Sequence, residues 1–154
     1  MKVNKEEQTF EQMVTFNAST TGICDFPFAR KYYVLKSTAA LYPEASKRLK
    51  QYSDGRPRLY TTMLAAIANC VASRGDIIYV LPGHTQTIAA ATEFALNKAG
   101  VQVIGLGSGT LKPVFTYSAT GSILTVSKEN CWIENIRLLS AIDNCVTAIS
   151  LTAD

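Results

Sequence analysis

Histidine is almost missing from this chain: one residue, His84, in 154. That scarcity excludes the usual zinc ligand sets, and the four cysteines do not replace them. Cys24, Cys70, Cys131 and Cys145 stand 46, 61 and 14 residues apart, and none of these is a metal-knuckle spacing. Free, buried thiols in a reducing compartment are the expected state, with no metal and no cofactor. Long apolar runs are missing as well. Nothing approaches the ~20 residues needed to span a bilayer, so no membrane partner is expected. The opening MKVNKEEQTFEQ has no apolar core of the kind a secretory leader needs, and none is expected. What is present is a globular composition, 47% hydrophobic and 18% charged, on the scale of one compact domain with or without an appendage.

The net charge of +3 is unevenly spread. Residues 1–75 carry 11 Lys and Arg against 6 Asp and Glu, whereas residues 76–154 carry 4 against 6. Lys47, Arg48, Lys50, Arg56 and Arg58 crowd into one short stretch. The plain account is the solvated face of a helix; the functional one is contact with an acidic partner. No nucleic-acid-binding motif accompanies the stretch, and no nucleic acid is expected as a partner.

Regular structure is expected to change character along the chain. Residues 1–30 hold no period and read as an irregular, extended arm, broken at Gly22 and Pro27. Tyr32–Leu35 is a short β-prone run. Leu41, Ala45 and Leu49, spaced by four behind Pro43, predict a short helix that Asp54-Gly55 stops. A second helix is predicted at about 61–73, with Thr61 or Thr62 as its cap and a stripe of Leu64, Ile67, Ala68 and Val71. From Gly75 onward short β-prone runs dominate: IIYVL, FAL, VQVIGL, VFTY, ILTV, WIENIRLL and AISL.

These runs repeat. At an offset of 30, FALNKAGVQVIGL (94–106) falls on LTVSKENCWIENI (124–136), so Val103 meets Ile133 and Asn130 stands where Gly100 stands. At an offset of 25, Leu124-Thr-Val126 falls on Ile149-Ser-Leu151. Repetition at 25–30 residues is the size of one coil of a parallel solenoid. Asn130 is expected to adopt left-handed backbone, and Cys131 to be a small core residue.

Thr62-Met-Leu-Ala-Ala-Ile67, then Gly75-Asp76-Ile-Ile-Tyr-Val-Leu-Pro82-Gly83, then Val101-Gln-Val-Ile-Gly-Leu-Gly107 and Asn130-Cys-Trp-Ile133-Glu-Asn135-Ile136 follow one another in order. This succession resembles the opening of pectin-lyase-like right-handed parallel β-helix proteins. YYVLKSTAAL (32–41), LPGHTQTI (81–88) and KAGVQVIGLGSGTLKPVFTY (98–117) resemble, more narrowly, structural proteins of tailed bacteriophages. The resemblance implies a mainly β fold: N-terminal coils of a right-handed parallel β-helix over residues 60–154, an α-helical cap, and an N-terminal arm with a short helix over 1–59.

That fold also carries polysaccharide lyases and hydrolases, so its acids are candidates for catalysis. Asp76, Glu93, Glu129, Glu134, Asp143 and Asp154 include no two at equivalent same-face positions of adjacent coils, as paired-carboxylate chemistry would require. Asp76 is expected to cap or turn the first strand, and Glu134 to face solvent. His84, without a nucleophile in a recognisable setting, is expected to make a local loop hydrogen bond. Gly105-x-Gly107-x-Gly109 has no helix after it to receive a phosphate. Trp132, beside inward Cys131 and Ile133, is expected to point outward as a contact for sugar or for a neighbouring subunit.

Taken with the resemblance, this implies a non-enzymatic virion structural protein with no catalytic residues, attached to the phage head through residues 1–59. Its partners would be capsid, portal or tail components and further copies of itself. The alternative is a tailspike-like protein that binds or degrades a host surface glycan. Lys47, Arg48, Lys50, Arg56, Arg58 and Trp132 are the expected partner contacts. Ile149–Asp154 repeats half a coil, which predicts that this end is covered by more coils of a longer native chain, the favoured cover, or by self-association, the second choice, or by another polypeptide.

Overall fold

A computed structural model describes residues 29–152. Most of the expected arm (residues 1–28), together with Cys24 and Asp154, lies outside the described residues. Strand β1 (Lys31–Val34), helix α1 (Tyr42–Arg48), β2 (Leu59–Tyr60) and helix α2 (Met63–Asn69) come first. They are followed by β3 (Ile77–Val80), β4 (Thr85–Ile88), β5 (Ala95–Leu96), β6 (Gln102–Gly105) and a 3₁₀ turn at Gly109–Leu111. The chain then forms β7 (Val114–Tyr117), β8 (Leu124–Val126), β9 (Trp132–Glu134), β10 (Arg137–Ser140) and β11 (Ile149–Leu151).

Three sheets result, with orders β2-β1-β3-β6-β9, β10-β7-β4 and β11-β8-β5, and every pair is parallel. From β3 on, each pass of the chain adds one strand to each sheet. The repeat offsets are the observed registers: Val103 pairs with Ile133, Leu96 with Val126, and Leu124 with Ile149.

The fold class expected from the resemblance needs correction. The described residues make 11 strands in three small parallel sheets with two helices, and no long right-handed parallel β-helix is present. A mainly β chain is what stands of that expectation. The physical reasons are the shortness of the strands, two to four residues each, and the small number of passes. Before Thr62 the expected β-prone run and short helix are present as β1 and α1. β1 lies between β2 and β3, pairing with β3 along its full length from Lys31–Ile77 to Val34–Val80.

The core runs through the middle of the sheets. Tyr32 and Val34 enter from β1, Ile78 and Val80 from β3, and Val103 from β6, all fully buried. Phe94 and Phe115 meet at 4.8 Å in a tilted pair, a geometry that adds about 0.5–1.5 kcal/mol to the area they bury. Helix α2 lies against β1, β2 and β5. Thr62 caps it, its hydroxyl accepting from the Ala65 N–H at 3.3 Å. The expected stripe is wrong by one position: Met63, Ala66, Ile67 and Cys70 face the core, while Leu64 is 51% exposed. Both sets satisfy the same i, i+3, i+4, i+7 template. The buried set is the one turned toward β1, where the Tyr32 hydroxyl donates to the Asn69 carbonyl at 2.9 Å. At the other end of α2, the Lys98 ammonium donates to the carbonyls of Ala68 (2.7 Å) and Cys70, matching a cation to the carbonyl end of a helix.

Close approach explains one glycine. A Cβ on Gly105 would collide with the Asn135 carbonyl. Asn135 itself has a positive φ of 54° and donates to the carbonyls of Gly105 (2.8 Å) and Gly107 (3.0 Å). Asn130 takes left-handed backbone (φ 55°) as Gly100 does (φ 72°), as the 30-residue alignment predicts. Gly105→Ala is expected to cost about 2 kcal/mol by overpacking. The loss should be local to the β6–β9 pair: amide exchange at Trp132, whose N–H donates to Val101, should accelerate before that of β3. Unchanged exchange at β9 would refute this account.

Candidate interaction surface

The described residues hold together around a buried carboxylate. Asp76, at the entry to β3, is fully buried and accepts four hydrogen bonds. Oδ1 receives the Arg30 N–H (2.9 Å) and Arg74 Nε (2.6 Å); Oδ2 receives the Val71 N–H (2.8 Å) and Arg74 Nη2 (2.6 Å). The bidentate Arg74 pair is charge-assisted, and the Asp76 carboxylate raises the Arg74 guanidinium above its usual range. The turning role expected of Asp76 is therefore observed, but over a wider reach. One side chain joins the start of β1, the end of α2 and the start of β3.

His84 differs from its expected local role. It is fully buried, its ring lies 5.5 Å from that of Phe115, and its Nδ1 accepts the N–H of Lys36, 48 residues away, at 3.0 Å. Burial pushes the imidazole down to about 4. Cys70 is likewise buried and its thiol is pushed up to about 12 by desolvation, so it is a core residue and not a nucleophile.

The basic stretch is not one patch. Lys47 and Arg48 close the last turn of α1 and both reach Glu44, at 3.5 and 3.8 Å, while α1 buries no residue. Arg56 reaches Asp54 at 3.7 Å, and Arg30 reaches the same carboxylate at 2.6 Å. The Arg30 guanidinium holds the Asp54 carboxyl below its ordinary range. Arg58 turns away from solvent, its guanidinium 5.1 Å from the Tyr52 ring and 5.5 Å from the Tyr33 ring. Lys50 is exposed. Surface pairs such as Lys47–Glu44 are weak and leave their charges open to a partner, whereas Arg58 is committed to packing.

Trp132 does point outward and is 58% exposed. It borders a shallow hollow of about 450 Å³ with Gln102, Asn130, Cys131 and Glu134, and its indole N–H donates to Glu134 at 3.2 Å. Glu134 faces solvent as expected, while Cys131 is half-buried. Cys131, Cys145 and Cys70 are free thiols.

The two ends of the body differ. At one end α2 covers the core, and the Met63 N–H donates to the Gln86 side chain on β4 at 2.9 Å. At the other end the last pass leaves β9, β10 and β11 as the edge strand of all three sheets. Its inward positions lose their cover. Leu124 is 1% exposed, but its neighbour Ile149 is 50% exposed, and Leu151, beside half-buried Val126, is 74% exposed. The 25-residue offset places β11 beside β8 in the observed register. Sequence reasoning missed the Asp76 clamp and the His84 burial because each depends on partners far away in sequence.

No family model, curated protein or solved structure matches the chain. The resemblance to phage β-structural proteins rests on the quoted residues alone. Among the described residues, no helix is long and apolar enough to cross a membrane.

Proposed function

We propose that this chain is a non-enzymatic structural protein of a tailed-bacteriophage virion, attached to the head through residues 1–59 and acting by assembly. The observation that carries the assembly role is the uncovered pass at β9, β10 and β11. Among the described residues, three parallel edges and a row of inward apolar side chains stand open at one end, a surface that proteins otherwise blunt or cover. The virion placement is supported by the resemblance of residues 32–41, 81–88 and 98–117. The open charges of α1, at Lys47 and Arg48, and of Lys50 support a contact with an acidic surface on that side. The test is quantitative mass spectrometry of purified particles carrying either the full chain or one lacking residues 1–28, which leaves Arg30 and β1 in place. Co-purification with heads that the deletion abolishes is expected. A chain found only in the free protein fraction, or incorporated equally without residues 1–28, overturns the proposal.

The hollow at Trp132 favours a second reading, a glycan-binding or glycan-degrading spike. An exposed indole beside the amides of Gln102 and Asn130 and the Glu134 carboxylate offers stacking and hydrogen bonding to a sugar ring. Trp132 is the chain's one tryptophan, so its fluorescence reports this site directly. A saturable change on titration with host capsular polysaccharide, followed by release of reducing ends, would favour this reading over the structural one.

A further inference from the structure

We infer that residues 36–58, the excursion between β1 and β2, form a rigidly held docking arm for an acidic protein surface that also offers an apolar notch. This rests on the attachment role proposed above and names the chemistry of the partner. Parallel neighbours in a sheet are joined by a crossover whose helix ordinarily covers the sheet. Here the crossover does not. No residue of 36–58 is buried, α1 buries none of its side chains, and only half-buried Tyr52 touches the edge of the core. Yet both roots of the excursion are pinned. At the first, the Lys36 N–H donates to the ring of buried His84 at 3.0 Å. At the second, the Tyr52 hydroxyl accepts from the Lys31 N–H and donates to the Lys31 carbonyl, both at 2.8 Å. The Arg58 carbonyl accepts from the Tyr33 N–H at 2.7 Å, and the Arg30 guanidinium lies 4.9 Å from the Tyr52 ring while pairing with Asp54. A segment with so little burial is ordinarily among the first to open. Fixing it in place lowers the ordering entropy lost when a partner binds.

Charge selects the partner. The excursion carries six Lys and Arg against Glu44 and Asp54, whereas residues 59–152 carry five against five. The positive charge is therefore concentrated on the arm, and a complementary surface is acidic. Lys47, Arg48 and Lys50 are its exposed cations. Beside them runs an apolar stripe at i, i+4 spacing: Leu41 is 48% exposed, and Ala45 and Leu49 are half-buried. An apolar stripe flanked by cations matches the apolar centre and polar rim of a protein interface. A nucleic-acid backbone presents phosphates without that apolar counterpart. A lipid surface fits less well, because α1 is seven residues long and carries Glu44 among its cations.

The test is titration of the full chain with a labelled glutamate–tyrosine copolymer, followed by fluorescence anisotropy. Poly-L-glutamate, a duplex DNA oligonucleotide and phosphatidylserine vesicles are the comparison probes. Tightest binding to the copolymer is expected. Replacing Lys47, Arg48 and Lys50 together with alanine, which keeps the helix, should weaken it about tenfold without changing the circular dichroism spectrum. Replacing Lys112, Lys128 and Arg137 with alanine removes the same charge elsewhere and should leave the affinity within about twofold. Leu41 stands at the N-cap of α1, so Leu41→Ser supplies a favoured cap. It should weaken binding to the copolymer and leave binding to poly-L-glutamate unchanged. Equal losses in the two triple variants, tighter binding to DNA or vesicles, or no saturable binding would each overturn the inference. So would many-fold tighter binding by a chain lacking residues 1–28, which would give the surface to that segment. A chain that binds the copolymer through these residues but is absent from virions keeps the docking arm and removes only the virion role. Undiminished incorporation of the Lys47, Arg48 and Lys50 variant into virions, with no binding to the copolymer, does the reverse.

Discussion

Replacing Asp76 with asparagine is expected to destabilise the fold by about 3–5 kcal/mol, the range for breaking a buried ion pair from one side. The side-chain volume hardly changes, so the loss is electrostatic. Each carboxylate oxygen now accepts two donors. An asparagine amide nitrogen in either place would face two donors with a third, and Arg74 would keep a charge without its counter-ion. Because Arg30, Val71 and Arg74 all converge on this group, β1 should separate from β3 in the same step that frees the end of α2. Urea unfolding followed by circular dichroism measures the change. Combining Asp76→Asn with Arg74→Met should recover more than 1 kcal/mol relative to the sum of the single changes, since the pair acts as a unit. A single-variant loss under about 1 kcal/mol would show that the sheet does not depend on this clamp.

The second large effect is a pH dependence centred on His84. Its folded-state value is lowered to about 4 from the ordinary 6.5, chiefly by burial. The unfolded chain therefore takes up a proton first as the pH falls, and the folded chain resists. Stability from this group is full above pH 6.5, declines between 6.5 and about 4, and is level below that, for a total of about 3 kcal/mol. Geometry points the same way: the Lys36 N–H donates to Nδ1, so a proton there would displace a hydrogen bond as well as charge the core. Denaturation curves at closely spaced pH values, taken as wild type minus His84→Gln, isolate this slope from that of the carboxylates. A difference that stays flat between pH 6.5 and 4.5 would contradict the assignment.

Much of the strand pairing was legible because β-strand alternation and a fixed repeat leave the same residue types at the same offsets. The pairings Val103–Ile133, Leu96–Val126 and Leu124–Ile149 follow from the sequence without reference to tertiary contacts. Trp132 was legible for the same reason. β4 was not, since Thr85-Gln-Thr-Ile88 carries only one apolar residue and its period is faint. WIENIRLL reads as one run but divides into β9 and β10 at Asn135, whose positive φ is set by the overlying Gly105 carbonyl. The place of β1 depended on partners 26 and 46 residues further on, Leu59 for Tyr33 and Ile77 for Lys31. Nothing within the run announces them. The resemblance carried the β character correctly and overstated the extent of regular coiling. In the candidate surface, proximity in sequence suggested a basic cluster that the fold divides, sending Arg58 to Tyr33 and Tyr52 and Lys47 and Arg48 to Glu44.

The all-parallel pairing sets a timetable for the nascent chain. The registers described join residues between 23 and 46 positions apart, from Val114 with Arg137 to Lys31 with Ile77. At about 5–20 residues per second, translation takes about 2–9 s to deliver the partner of Lys31 after Lys31 itself. Over that interval, among the described residues, Tyr32 and Val34 have only the two residues of β2 to pair beside, and no tight hairpin forms a local nucleus. Folding must then wait on distant segments, the condition under which single domains are slow. The growing polypeptide thus carries an apolar edge for seconds before β3 emerges to cover it, and that edge is where a chaperone or a neighbouring nascent chain would first take hold.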